Sequence, residues 1–130
     1  MKLCDYVQSG DWKGEKHVPV VEAPEKVSSG EAFKVEVSIG KEIAHPNTAQ
    51  HHIKWIKLLF VPEGGKFIIE LANLSFDVHG DSMDPEKPGP AFCEPFASAL
   101  VKLSSSGTLV VQSYCNLHGL WENSRPIKVA

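Results

Sequence analysis

The sequence predicts an antiparallel β-sandwich, and three observations carry that reading. Residues 33–39, Phe-Lys-Val-Glu-Val-Ser-Ile, alternate apolar with polar side chains at every step, the period of a strand with one face in a core. Comparable runs recur between turn clusters rich in Gly, Pro, Ser and Asn, such as SSGE, PEGGK and SSSGT. No segment carries a sustained helical period with caps at its ends. Short strands joined by polar turns, without helices to cover them, bury their apolar faces by packing sheet on sheet.

Seven strands are expected, at 18–22, 33–39, 52–61, 67–78, 96–103, 108–114 and 127–129. The first is a short valine-rich run, and 33–39 is the clearest alternation. Segment 52–61 gathers Ile, Trp, Leu, Phe and Val, and 67–78 opens on Phe-Ile-Ile and closes on Phe-Asp-Val. Segments 96–103 and 108–114 flank the SSSGT turn, and Ile-Lys-Val ends the series. The longest irregular stretch, 79–95, holds four prolines and reads as an ordered surface excursion that covers a sheet edge or meets another subunit.

A chain of 130 residues with 42% apolar content suffices for one core and is small for two, so one domain spanning 1–130 is expected. Thirteen basic residues scattered among sixteen acidic ones, for a formal charge of −3, give no basic footprint and argue against nucleic acid as a partner. No run approaches a membrane span, and the first sixteen residues meet charged side chains too early for a signal-peptide core. Cys4, Cys93 and Cys115 form an odd set without a C-x-x-C pair, which suits a reducing compartment. A cytoplasmic protein is the expectation.

The chemistry-bearing residues are His17, His45, His51, Cys115 and His118, spaced His-x27-His-x5-His-x63-Cys-x2-His. Four imidazole nitrogens and one thiolate suit a single transition metal at an incompletely filled site. His51 and His52 are neighbours at the start of a strand, where consecutive side chains point to opposite faces, so at most one reaches a given ion. Cys115 and His118 follow the strand 108–114, and a C-x-x-H step lets both bind one ion around a tight turn that Gly119 then releases. Taken singly, a histidine is more often a surface or hydrogen-bonded side chain and a cysteine a small buried hydrophobe. His52, His79, Cys4 and Cys93 keep that plain reading.

The segments EKHVPV (15–20), KEIAHPNTAQHHI (41–53) and SYCNLHGLW (113–121) together resemble the superoxide reductases of the desulfoferrodoxin family, in the small single-iron form called neelaredoxin. The likeness runs in order along nearly the whole chain. It implies an immunoglobulin-like seven-stranded antiparallel β-sandwich with one iron per subunit, cycling between Fe2+ and Fe3+, held by loops at one end. It selects His51 over His52, and implies that His17, His45, His51 and His118 lie in a plane with Cys115 on one axial side.

Glu15 resembles the carboxylate that occupies the sixth position in the ferric state. Lys16 resembles the cation that draws superoxide in and organises the proton-supplying water. The resemblance further implies reduction of superoxide to hydrogen peroxide, an outside electron donor such as rubredoxin, and a homotetramer, with a homodimer as the alternative. Larger relatives carry an N-terminal iron domain with four thiolates. Only Cys4 precedes Glu15, so that second centre is expected to be absent. Ala44 before His45, where Pro is common, and Gln50 before His51, where an acid is common, depart from the family pattern without touching a ligand position.

Three other classes compete for the same residues. A blue-copper carrier needs two His, one Cys and a late axial Met, and no Met follows Cys115. A structural zinc module prefers four closed ligands and leaves Glu15 and Lys16 without purpose. A Cys-His hydrolase needs a nucleophile free of metal-spaced histidines.

Overall fold

Alternating side chains sort the strands into two layers in the computed structural model, which describes all 130 residues. The strands are β1 (Val20–Glu22), β2 (Lys26–Val27), β3 (Phe33–Ser38), β4 (Ile53–Pro62), β5 (Ile69–Ser75), β6 (Phe96–Val101), β7 (Gly107–Cys115) and β8 (Gly119–Val129). One sheet has the order β1-β3-β6 and the other β2-β8-β7-β4-β5. The only helical element is a 3-10 turn at Leu3–Asp5, and no helix is long and apolar enough to cross a membrane.

The core lies between the layers, where Val35 and Val37 of β3 share one cluster with Ile56, Leu58 and Phe60 of β4 and with Leu109 and Val111 of β7. Burying such a side chain contributes about 1.5–3 kcal/mol relative to leaving it exposed. The inward face of β7 runs Leu109, Val111, Ser113, Cys115, all fully buried. Two-residue periodicity therefore delivers the Cys115 thiol to the end of the core, still under cover.

The β-sandwich expected from the sequence is present, with eight strands in place of seven. The additional one, β2, has two residues and pairs in parallel with β8 (Lys26 opposite Lys128, Val27 opposite Val129), whereas the other strand-to-strand pairings are antiparallel. Strand β8 extends over Gly119–Val129, far beyond the expected 127–129. Its middle, Glu-Asn-Ser-Arg-Pro, lacks β-forming residues and is held in the sheet by pairing along the whole of β7. The excursion 79–95 is ordered by Gly80 N–H to Ala91 O (2.7 Å), Gly89 N–H to Gly80 O (2.7 Å) and Cys93 N–H to Val78 O (2.8 Å).

Strands β5 and β6 are free edges of the two sheets. Between them opens an apolar groove of about 110 Å³ reached by Val35, Val37, Ile56, Leu58, Ala72 and Ala97, and Ile69, Leu74, Phe96 and Leu100 are exposed beside it. The strand ends matter most for function. The start of β1, the end of β3, the start of β4 and the end of β7 lie at one end of the sandwich: Val20 faces Ser38, Ile53 faces Cys115, and the loops before β1 and β4 both reach the β7–β8 turn.

Candidate metal centre

The four histidines come from loops at that common end, and Cys115 is the last residue of β7. His17 precedes β1, His45 and His51 lie in the β3–β4 connection, and Cys115 and His118 span the tight β7–β8 turn, where Cys115 faces Gly119. Gly119, at φ +82°, supplies the left-handed conformation the turn needs.

The four imidazoles form a square. Ring centroids are 4.8 Å apart for His17–His45, His45–His51 and His17–His118, and 5.0 Å for His51–His118, while the diagonal His17–His51 is 6.3 Å. His118 Nδ1 stands 3.2 Å from both His17 Nε2 and His51 Nε2. A square of that edge has a half-diagonal of about 2.3 Å, close to a metal–imidazole bond. The donor atoms of His17, His45, His51 and Cys115 lie within 4.8 Å of one another, and Cys115 Sγ is 3.7 Å from His118 Nδ1. Backbone N–H of His118 also points at that sulfur, at 3.4 Å.

Tautomers follow from the outer bonds. His17 Nδ1–H donates to Glu15 Oε1 (2.8 Å) and His45 Nδ1–H to the Pro46 carbonyl (2.6 Å), so each Nε2 presents a lone pair to the middle of the square. His45 Nε2 is buried and has no hydrogen-bond partner at all. A buried nitrogen of this kind costs free energy unless something electrophilic faces it, and a cation at the centre of the square is such a group. Desolvation pushes the His45 imidazole down from 6.5 to about 4, with the positive charges of His17, His51 and Lys16 adding to the effect. Burial likewise lowers His51. Neutral imidazoles at pH 7 are the form that binds metal. Four of them with one thiolate make a donor set of charge −1.

Glu15 is placed behind His17 rather than among the convergent donors. Its Oε1 also accepts the backbone N–H of His17 (3.1 Å), and these bonds, with the nearby Lys16, hold the carboxyl below its usual range. Lys16 follows it, half-buried and without an ion pair, near enough for its charge to be felt at His45 and His51. The loop is tied down by Gly14 and Glu15 N–H bonds to Asp11 O and by Gln8, which bonds β8 on either side of Trp121.

His52 and His79 stand apart from the square, stacked on each other at 3.6 Å with an interplanar angle of 4°. Their ring N–H groups go to the Thr48 and Ile53 carbonyls. Cys4 and Cys93 are free and are not among the convergent donors. Trp121 stacks on His17 (4.8 Å, 15°) and donates its indole N–H to the His118 carbonyl (3.2 Å), bracing two corners at once. The spacing Cys-x5-Trp held no signal for this, because the contact exists only after β8 folds back on β7.

The sequence model of the desulfoferrodoxin family matches residues 9–124. The chain is 46% identical over 127 residues to the neelaredoxin of Megalodesulfovibrio gigas, covering 98% of each. It is 46% identical over 121 residues to the superoxide reductase of Pyrococcus furiosus, covering 93% of this chain and 95% of that one. A solved chain from Thermotoga maritima superposes with a TM-score of 0.95 at 48% identity, covering 100% of this chain and 98% of that one.

Proposed function

The chain belongs to the desulfoferrodoxin family, and from that premise we propose that it is a superoxide reductase acting at one non-haem iron per subunit. The observation that carries the reading is the square of inward nitrogens, with His45 Nε2 orphaned, above the buried Cys115 sulfur. In this reading His17, His45, His51, His118 and Cys115 would together hold the ion. Iron bound there would supply an Fe2+/Fe3+ couple, and the reaction is superoxide plus one electron and two protons giving hydrogen peroxide.

The remaining work falls to this chain's own groups. The Lys16 ammonium raises the local concentration of an anionic substrate, an effect that weakens with salt. It also orders the water that delivers protons. Glu15 keeps His17 in its metal-binding tautomer while bonded to Nδ1. To act as the hard oxygen donor that the resemblance implies, Glu15 would have to give up its bond to His17 and turn its carboxylate inward. The electron is restored by an outside donor, rubredoxin or a protein like it. The unit 1–130 acts as a single domain in the cytoplasm, as a homotetramer, with a homodimer as the alternative. The exposed apolar β5–β6 edge supports self-association.

The test is the peroxide yield when iron-loaded, pre-reduced protein meets a limited superoxide pulse, corrected for spontaneous dismutation. One peroxide per superoxide, with stoichiometric oxidation of iron, is expected. Half a peroxide per superoxide with turnover would make the protein a dismutase, and no oxidation of iron would overturn the reading.

A further inference from the structure

Two corners of the square have rings oriented by a bond on the far nitrogen, His17 through Glu15 and His45 through Pro46. His51 has no such bond: the one hydrogen-bond-distance contact of its ring is Nε2 with His118 Nδ1, inside the square. Its place is therefore set by its backbone. That backbone belongs to a turn closed on itself, with Thr48 N–H to His51 O (2.9 Å), His51 N–H to Thr48 O (3.2 Å) and the Thr48 hydroxyl accepting His51 N–H (3.0 Å). A self-closed turn does not fix its own distance from the β7–β8 hairpin. The adjoining β4–β7 ladder does not fix it firmly either, because its register breaks between Ile53 and Trp55.

One residue bridges that gap. Asn116 donates its backbone N–H to His52 O (3.1 Å), accepts His52 N–H on Oδ1 (2.9 Å) and donates Nδ2–H to Gln50 O (2.9 Å). The three bonds grip the chain on both sides of His51. Asn116 itself lies between Cys115 and His118, so one hairpin tip carries two donors and clasps the third.

We propose that Asn116 is a positioning residue that sets His51 at its distance from His118. The proposal rests on the reading that the square holds a metal. Only an amide does both jobs: a carboxylate keeps the acceptor for His52 N–H but turns an oxygen toward the Gln50 carbonyl, and a methyl group does neither.

The test uses the full chain loaded with Co2+, whose ligand-field bands report coordination geometry and whose thiolate charge-transfer band reports Cys115. Release to excess chelator is timed for the unaltered protein, Asn116→Ala, Asn116→Asp and, as a remote control of stability, Ile127→Val. Expected are release about 10–100-fold faster in Asn116→Ala, the range for loss of outer partners, an intermediate rate in Asn116→Asp, and altered ligand-field bands with the thiolate band retained. Ile127→Val should release at the unaltered rate. Rates equal to the unaltered protein in the Asn116 variants would overturn the proposal, as would the same acceleration in Ile127→Val. Should Asn116→Ala fail to fold, Asn116→Asp decides by the same criteria. Failure of the unaltered protein to take up Co2+ would refute the metal reading itself, a result distinct from equal release rates.

Discussion

His45 gives the metal-free protein a pH dependence whose size follows from its burial. Its imidazole titrates at about 4 in the folded chain against an ordinary 6.5. Between those values the unfolded chain takes up a proton that the folded chain refuses, so stability is full above pH 6.5, falls as pH drops, and levels off below 4. The gap of about 2.5 pH units, at ~1.4 kcal/mol each, makes the loss roughly 3 kcal/mol. His51 and His79 are shifted in the same direction, so the total slope belongs to several groups. His45→Gln isolates the one of interest.

The assay is urea unfolding of both proteins in chelator at pH 7, 6, 5 and 4. Between pH 6.5 and 4 the slope of the unfolding free energy should be shallower in His45→Gln by up to one proton, ~1.4 kcal/mol per pH unit. Lowering of the Glu15 carboxyl adds acid loss below its ordinary 4.5, but it is common to both proteins and cancels in the comparison. Parallel curves would mean that His45 is solvated in the metal-free state and that its orphaned nitrogen is no argument for a cation.

Cys115→Ser should leave the fold intact, since the change is small and lies at the rim of the core. It should abolish the thiolate charge-transfer band and weaken metal binding by more than about 100-fold, beyond what outer partners cost; chelator competition measures it. In Gly40→Ala, the new Cβ would stand 2.6 Å from the backbone nitrogen of His45, at a residue with φ +87°. A cost of about 1–2 kcal/mol from the backbone conformation, with displacement of His45 added, should appear as a lower melting temperature and impaired Co2+ uptake. Lys16→Ala should slow superoxide capture up to ~10-fold at low ionic strength and flatten its salt dependence; an unchanged low-salt rate in pulse radiolysis would remove Lys16 from the mechanism.

What the sequence made legible follows the reach of local pattern. Alternation exposed β3 and β7 because one face of each is buried, and the histidine and cysteine spacing exposed the square because those residue types rarely gather without cause. Strand β2 and most of β8 were hidden, since polar Glu122, Asn123, Ser124 and Arg125 are strand residues only by virtue of β7 beside them. The bracing by Trp121 and the clasp by Asn116 were hidden for a related reason: each is a contact across register, and register is decided by whole sheets. Glu15 shows the opposite limit. The resemblance brings its carboxylate to the ion, while the fold places it on the far nitrogen of His17, a distinction one bond rotation away from the same sequence.

The donors are far apart along the chain, with His17 and His118 meeting across 101 positions. During synthesis, His17 emerges first and waits for the β7–β8 hairpin, so no nascent fragment that ends before His118 contains all five donors. The short-range pair His45 and His51 exists earlier, yet by itself it offers an ion only two donors. In the proposed reading, the full donor set is therefore assembled only when the last hairpin closes on the two earlier loops, and metal retention would report that closure.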